Sequence, residues 1–239
     1  TLGSAKAKAS PAAAATPEQL AEGQKLFQSA CSSCHGLQGQ GVQGSGPSLI
    51  GVGAAAVDFQ VGTGRMPAMQ IGPQVQAHPV VYTQDQIDAM AAYVGSLGAG
   101  PDIPDASKYA VDPKDADSGS RGGVLFRSNC SQCHNVVGAG GALTDGKYAP
   151  SLKQTDPKHI YEIMLTGSQQ MPAFGDAALD PQNKTNIIAY PLNTLTEDGS
   201  IVGLDLSGIR PMCKRLCGGT LALRLLIVVA RRIRASPAP

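Results

Sequence analysis

Cys31-Ser32-Ser33-Cys34-His35 returns as Cys130-Ser131-Gln132-Cys133-His134, and this repeated five-residue stretch decides the fold. The two copies sit in matching surroundings. Gly23, Leu26 and Phe27 precede the first as Gly122, Leu125 and Phe126 precede the second, an offset of 99 residues that puts one apolar face on a short helix entering each motif. A Gly-rich loop without period follows each motif, and then Pro-Ser-Leu, at Pro47, Ser48 and Leu49 and again at Pro150, Ser151 and Leu152. Next, Thr63, Gly64, Arg65, Met66, Pro67, Ala68 and Met69 answer to Thr166 and Gly167 followed by Met171, Pro172 and Ala173. Two halves built to one plan are expected.

In a CxxCH run two thiols can add to the vinyl groups of one heme, while the adjacent histidine is carried beneath the ring to the iron. Cys31, Cys34, Cys130 and Cys133 are therefore read as covalent attachment points for two hemes c, with His35 and His134 as iron ligands. A redox dithiol or half of a zinc site would be the bland alternatives for one isolated copy. Two copies, each followed by its own methionine segment, favour heme.

A thioether is a soft ligand suited to the sixth position of a low-spin heme iron, and a His/Met pair raises the reduction potential relative to two nitrogen ligands. Met66 and Met171 are the expected ligands. The proline after each pushes the methionine toward extended backbone, a conformation suited to a ligand-presenting loop. Isolated methionines more often fill irregular core gaps, but the paired placement argues for ligation. Met69 competes with Met66; its counterpart in the second half, Phe174, cannot bind iron. His78, in GPQVQAHPV, and His159, beside Lys158 at a helix start, read as surface or interface residues.

Each half closes with a helix. The first opens at Thr83 with Gln86 three residues on, a capping box, and carries Ile87, Met90, Tyr93 and Val94 on one face. The second starts after Asp180 with Pro181 at the first helical position and runs through Ile187, Ile188 and Tyr190; Pro191 is expected to end it early. The organisation is then a linker over 1–17, a first heme domain over 18–100, a Pro-, Asp- and Ser-rich linker over 101–120, a second domain over 121–200 and a tail over 201–239. Electron passage between hemes calls for a packed interface between the halves, which no residue in the sequence proves.

Composition bounds the rest. The 239 residues are 42% hydrophobic but only 4% aromatic, with no tryptophan, so two compact cores are thin unless a large apolar group fills them. The net charge of +1 hides an asymmetry: residues 210–239 hold seven Lys or Arg and no acid, which leaves the body at −6. An acidic body argues against nucleic-acid binding. Covalent heme attachment implies folding outside the cytoplasm, so a signal or anchor ahead of TLGSAKAKASPAAAATP is expected. The C-terminal apolar run, Thr220 to Ala230, is about half of the roughly 20 residues that cross a bilayer and is broken by Arg224. It suits an amphipathic membrane-surface helix. A reading-frame change near Met212 is the alternative origin of this ending, with Cys213 and Cys217 then without function.

The order of helix, CxxCH, Gly-rich loop, PSL, Met-Pro and closing helix resembles class I c-type cytochromes. The segments Gly46 to Met69, Gly140 to Leu152 and Leu165 to Phe174 resemble the diheme cytochrome c subunit of the actinobacterial cytochrome bcc (menaquinol–cytochrome c reductase) complex, over roughly residues 18–200. The resemblance implies a mainly α fold of two tandem class I cytochrome c domains, each wrapped around one covalent heme c, with a membrane-associated tail. It further implies an electron-transfer subunit of a proton-translocating oxidoreductase. A Rieske iron–sulfur subunit would reduce one heme and the other would pass the electron to a terminal cytochrome c oxidase, with quinol chemistry left to the cytochrome b subunit. The heme domains would then lie on the extracytoplasmic face of the cell membrane. Pro191 and the tail after Pro211 depart from the family's pattern. A freely diffusing diheme carrier is the alternative function; a diheme peroxidase would need an open iron site, which paired Met-Pro segments disfavour.

Overall fold

The computed structural model describes residues 15–194 apart from 71, 113 and 114; the N-terminal stretch before 15 and the tail with Cys213, Cys217 and Thr220–Ala230 lie outside the described residues. The described chain is mainly helical. In the first half, α1 (Pro17–Ala30) starts on Thr16, whose hydroxyl accepts from Gln19 N at 3.2 Å, with Pro17 at the first helical position where a missing N–H costs nothing. A single helical turn, α2 (Ser32–His35), carries the cysteine motif. Then come α3 (Ala54–Gly62) and α4 (Gln84–Ser96), the latter opened by the complete Thr83–Gln86 capping box. The second half repeats this as α5 (Ala116–Asn129), α6 (Ser131–His134), α7 (Pro157–Thr166) and α8 (Pro181–Thr194).

The repeated glycines and phenylalanines now have a reason. Gly23 lies against the backbone carbonyl of Ala89 in α4, and Gly122 against that of Asn186 in α8, so closely that any Cβ at either position would collide with the carbonyl oxygen. Four residues on, Phe27 stacks on Tyr93 with ring centroids 5.3 Å apart, as Phe126 does on Tyr190 at 5.2 Å. The first and last helices of each half therefore cross at a glycine and are pinned by an aromatic pair. Each crossing anchors its own core. Phe27, Val57, Val61, Ile87, Met90 and Val94 form one, and Phe126, Ile160, Tyr161, Met164, Ile187 and Ile188 the other.

One expectation from the sequence is overturned. The second closing helix does not stop at Pro191: α8 continues to Thr194. The proline forfeits one hydrogen bond, to the Ile187 carbonyl, and its ring is fully buried. Helix α3 carries no amphipathic signal in AAAVDFQVG because it is covered on several sides, packing on α4 and α7. The Gly-rich loop of the second half holds a two-stranded antiparallel ladder, β1 (Gly141–Ala142) with β2 (Tyr148–Ala149). The segment between the halves is tied down: Ala55 N donates to Pro101 O at 3.1 Å and Thr185 Oγ1 to Lys108 O at 2.6 Å, while Ile103 packs on the first core and Tyr109 on the second. Helix α5 opens at Ala116, within that segment.

The halves touch along α3 and α7 and through the loop before α4. Gln74 pairs with the backbone of Tyr148 in both directions, accepting from its N–H at 2.7 Å and donating to its carbonyl at 2.8 Å, and so extends the small ladder with a side-chain amide. Gln60 Nε2 donates to Ser168 Oγ at 2.7 Å, and Gln169 Oε1 accepts from Val75 N at 3.1 Å. Among the described residues no helix is long and apolar enough to cross a membrane.

Candidate heme sites

The two cysteine motifs occupy equivalent positions. Cys31 and Cys130 cap the entering helices, each donating its backbone N–H to the phenylalanine carbonyl four residues earlier at 2.8 Å, and both pack on their respective cores. One helical turn then turns His35 and His134 inward, where both are buried. All four thiols in the motifs are free. Burial pushes the Cys31 and Cys130 thiols up to about 11, the partner cysteine adding to the shift. Reactive dithiols need the opposite, a lowered thiol pKa, so the redox-dithiol alternative is disfavoured.

Pro-Ser-Leu, found in the sequence as a bare repeat, is the element that fixes each histidine. His35 Nδ1 lies 2.8 Å from Pro47 O, and His134 Nδ1 lies 3.0 Å from Pro150 O. A carbonyl only accepts, so Nδ1 carries the proton and Nε2 keeps its lone pair for an electrophile. The serine and leucine clamp the Gly-rich loop. Leu49 N donates to Gly39 O at 2.7 Å and Leu152 N to Gly138 O at 2.8 Å; Ser48 and Ser151 hydroxyls reach the same two carbonyls. Burial also lowers the His134 pKa, which keeps that ring neutral and able to ligate. The orienting groups are backbone carbonyls, which leave no residue-type signature beyond the repeat.

The methionine segments come to the same cores. Met66 packs against the first and Met171 against the second. Met69 points away from that core, 83% exposed. In the second half a cavity of about 450 Å³ is lined by Cys130, Cys133, His134 and Met171 together with Ile160, Met164 and Phe174. Two thiols, an oriented imidazole and a thioether around an apolar void fit one heme c. The first half presents the same donor set on the same frame.

The sequence did not flag a buried ionic cluster between the halves. Asp58 on α3 and Glu162 on α7 are both almost wholly buried, and Lys158 Nζ sits 2.6 Å from Asp58 Oδ2 and 3.9 Å from Glu162 Oε1. Burial, then a hydrogen bond with Asp58, drives the Glu162 carboxyl up to about 10, so it holds a proton. Asp58 is held below the usual carboxylate range: hydrogen bonds from Glu162 and Lys158, reinforced by the lysine's charge, outweigh its burial. Among the described residues, the metal-sized grouping of His, Cys, Asp and Glu is Asp58, His159 and Glu162, not a convergence of the two cysteine motifs. This weakens the zinc reading. The Lys158 ammonium already supplies the cation there. His159, expected at a surface or interface, meets Phe59 edge-on at 6.0 Å across the junction and lines the cavity of the second half. His78 rests on two backbone carbonyls, of Pro79 and Pro67.

Comparison with known proteins agrees with this duplicated frame. The family model described as Cytochrome c matches residues 20–98, and that of Cytochrome C oxidase, cbb3-type, subunit III, matches residues 117–190. The cytochrome bc1 complex cytochrome c subunit of Mycobacterium leprae is 47% identical over 195 residues, covering 80% of this chain and 67% of the relative. Its counterpart in Mycobacterium bovis is 44% identical over 220 residues, covering 89% and 78%. That of Corynebacterium efficiens is 42% identical over 225 residues, covering 88% and 75%.

Proposed function

This chain belongs to the family of cytochrome bc1 complex cytochrome c subunits, and on that premise we propose that it binds two hemes c and carries electrons from a Rieske iron–sulfur subunit to a terminal cytochrome c oxidase. Heme c, when bound, supplies a one-electron iron couple. The chain's own residues do the rest. Cys31 and Cys34 would hold one heme, Cys130 and Cys133 the other, with His35 and Met66, and His134 and Met171, as the axial pairs. The carbonyls of Pro47 and Pro150 keep each imidazole in one tautomer, and the apolar cores exclude water, which favours a high potential.

The observation that carries this reading is the cavity in which both thiols of the second motif, the oriented His134 and Met171 meet on apolar walls. Quinol chemistry would belong to a cytochrome b partner, and this chain alone would be an electron carrier. The heme halves would face the extracytoplasmic side of the membrane, where covalent heme attachment takes place.

Detergent extraction of native membranes with a tag on this chain tests the proposal. Co-purification of a cytochrome b, a Rieske protein and oxidase subunits, with two hemes c per chain, is the expected result. Recovery of the chain by itself from the soluble fraction would leave a free diheme carrier instead.

A further inference from the structure

Arg65 and Met66 are neighbours in sequence but serve opposite halves. Met66 packs on the first core, whereas the Arg65 side chain lines the cavity of the second half, beside Phe59, Gly62, Thr63 and Gln74 of its own. The guanidinium is half-buried, with Cζ 5.0 Å from the centroid of the Phe59 ring. Among the described residues no carboxylate lies within ion-pair distance of it. The acid on the cavity wall, Asp156, is engaged in capping α7, accepting from Lys158 N at 2.8 Å. Lys147, half-buried on the same wall, likewise has no ion pair among the described residues.

A desolvated guanidinium on the wall of a largely apolar cavity is costly unless an anion meets it. The ligand expected there has an apolar ring and two carboxylates. We infer that Arg65, contributed by the first half, is the counter-ion for a propionate of the heme held by the second half, so that the second heme pocket is complete only when the halves are docked. This rests on the heme reading above. The consequence is electrostatic: a fixed positive charge favours the reduced state of the second heme and raises its potential. It also places a single peptide unit between a ligand of one heme and a contact of the other.

The test is a spectroelectrochemical titration of the heme-loaded full chain, with Arg65→Gln and Arg65→Lys as variants and Met171→His to mark which step belongs to the second heme. Arg65→Gln is expected to lower the second-heme step by about tenfold in its reduction equilibrium, about 59 mV for one electron, with Arg65→Lys restoring most of it. A residue with only a packing role would not be rescued by charge alone. An unmoved second step, or a shift confined to the first heme, overturns the inference. Should Arg65→Gln fail to fold, Arg65→Lys against Lys147→Gln still separates a charge effect at Arg65 from a diffuse one. A parent chain with fewer than two covalent hemes would instead remove the underlying heme reading.

Discussion

Lys158 Nζ on α7 lies 2.6 Å from Asp58 Oδ2 on α3, an ion pair that crosses from one half of the molecule to the other with the carboxylate 1% exposed. Gln84 Nε2 also reaches Asp58, at 3.2 Å from Oδ1, so the capped start of α4 is drawn into the same junction. Glu162, kept neutral by its burial, lies in the same cluster. A partnered charge in this position fixes how the halves dock, because any slip would leave the buried Asp58 carboxylate alone.

Removing either acid should have opposite consequences. Asp58→Asn strands Lys158 and should destabilise the heme-loaded chain by about 3 kcal/mol, the low end for breaking a buried pair, since Lys158 is partly solvated. Glu162→Gln mimics the neutral acid already present. Glu162 has its folded pKa raised to about 10 from 4.5, so its proton-linked stability is full below about pH 4.5 and is lost as pH rises toward 10. The Gln variant should match the parent at pH 4 and exceed it increasingly above pH 7. Guanidinium denaturation across pH checks both.

The helix crossings make a second prediction. Gly122→Ala puts a methyl into the Asn186 carbonyl and Gly23→Ala one into that of Ala89, and both obstacles are backbone. Neither can be relieved by a rotamer change, so each should cost about 3 kcal/mol and separate the aromatic pair of its own half. The outcome that would contradict this is an unchanged denaturation midpoint, since alanine on its own favours helix over glycine by about 1 kcal/mol.

At the first site the two candidate sulfurs should separate cleanly. Met66→Ala should abolish the spectroscopic signature of sulfur-ligated ferric heme in the first half and lower that heme's potential, while Met69→Ala changes neither, because Met69 is 83% exposed. Loss of the signature in the Met69 variant instead would move the ligand to that residue.

These sites were legible in the sequence to different depths. The cysteine motifs, the Met-Pro segments and the Phe27/Phe126 repeat were visible because duplication reveals what a single copy hides. The capping box at Thr83 was readable because its signal is local. Asp58, Lys158, Glu162 and Arg65 were not, since their meaning arises from residues about a hundred positions apart meeting across a junction. Helix α3 escaped because a helix buried on several faces has no period to detect. Pro191 misled because the local rule against a proline in a helix yielded to burial of its ring in α8.

His78 should govern how firmly Met66 is held. Its backbone N–H donates to Gly64 O at 2.9 Å, and its ring nitrogens face Pro67 O at 2.8 Å and Pro79 O at 2.9 Å, so this one residue closes the loop that presents the methionine. Only an imidazolium can donate to both carbonyls, and the contacts with Pro79 and then Pro67 raise the His78 pKa above 6.5. A raised folded pKa means that the clasp is complete below the unfolded value of 6.5 and is lost as pH rises through the raised one. At equal concentrations of neutral imidazole, the exogenous ligand should therefore displace Met66 from the ferric first heme slowly at pH 6 and several-fold faster at high pH. His78→Phe should be fast at both, with the second heme unaffected throughout. Stopped-flow absorbance would measure this, and a pH-independent rate in the parent would mean that the ring donates to one carbonyl only and does not clasp the loop.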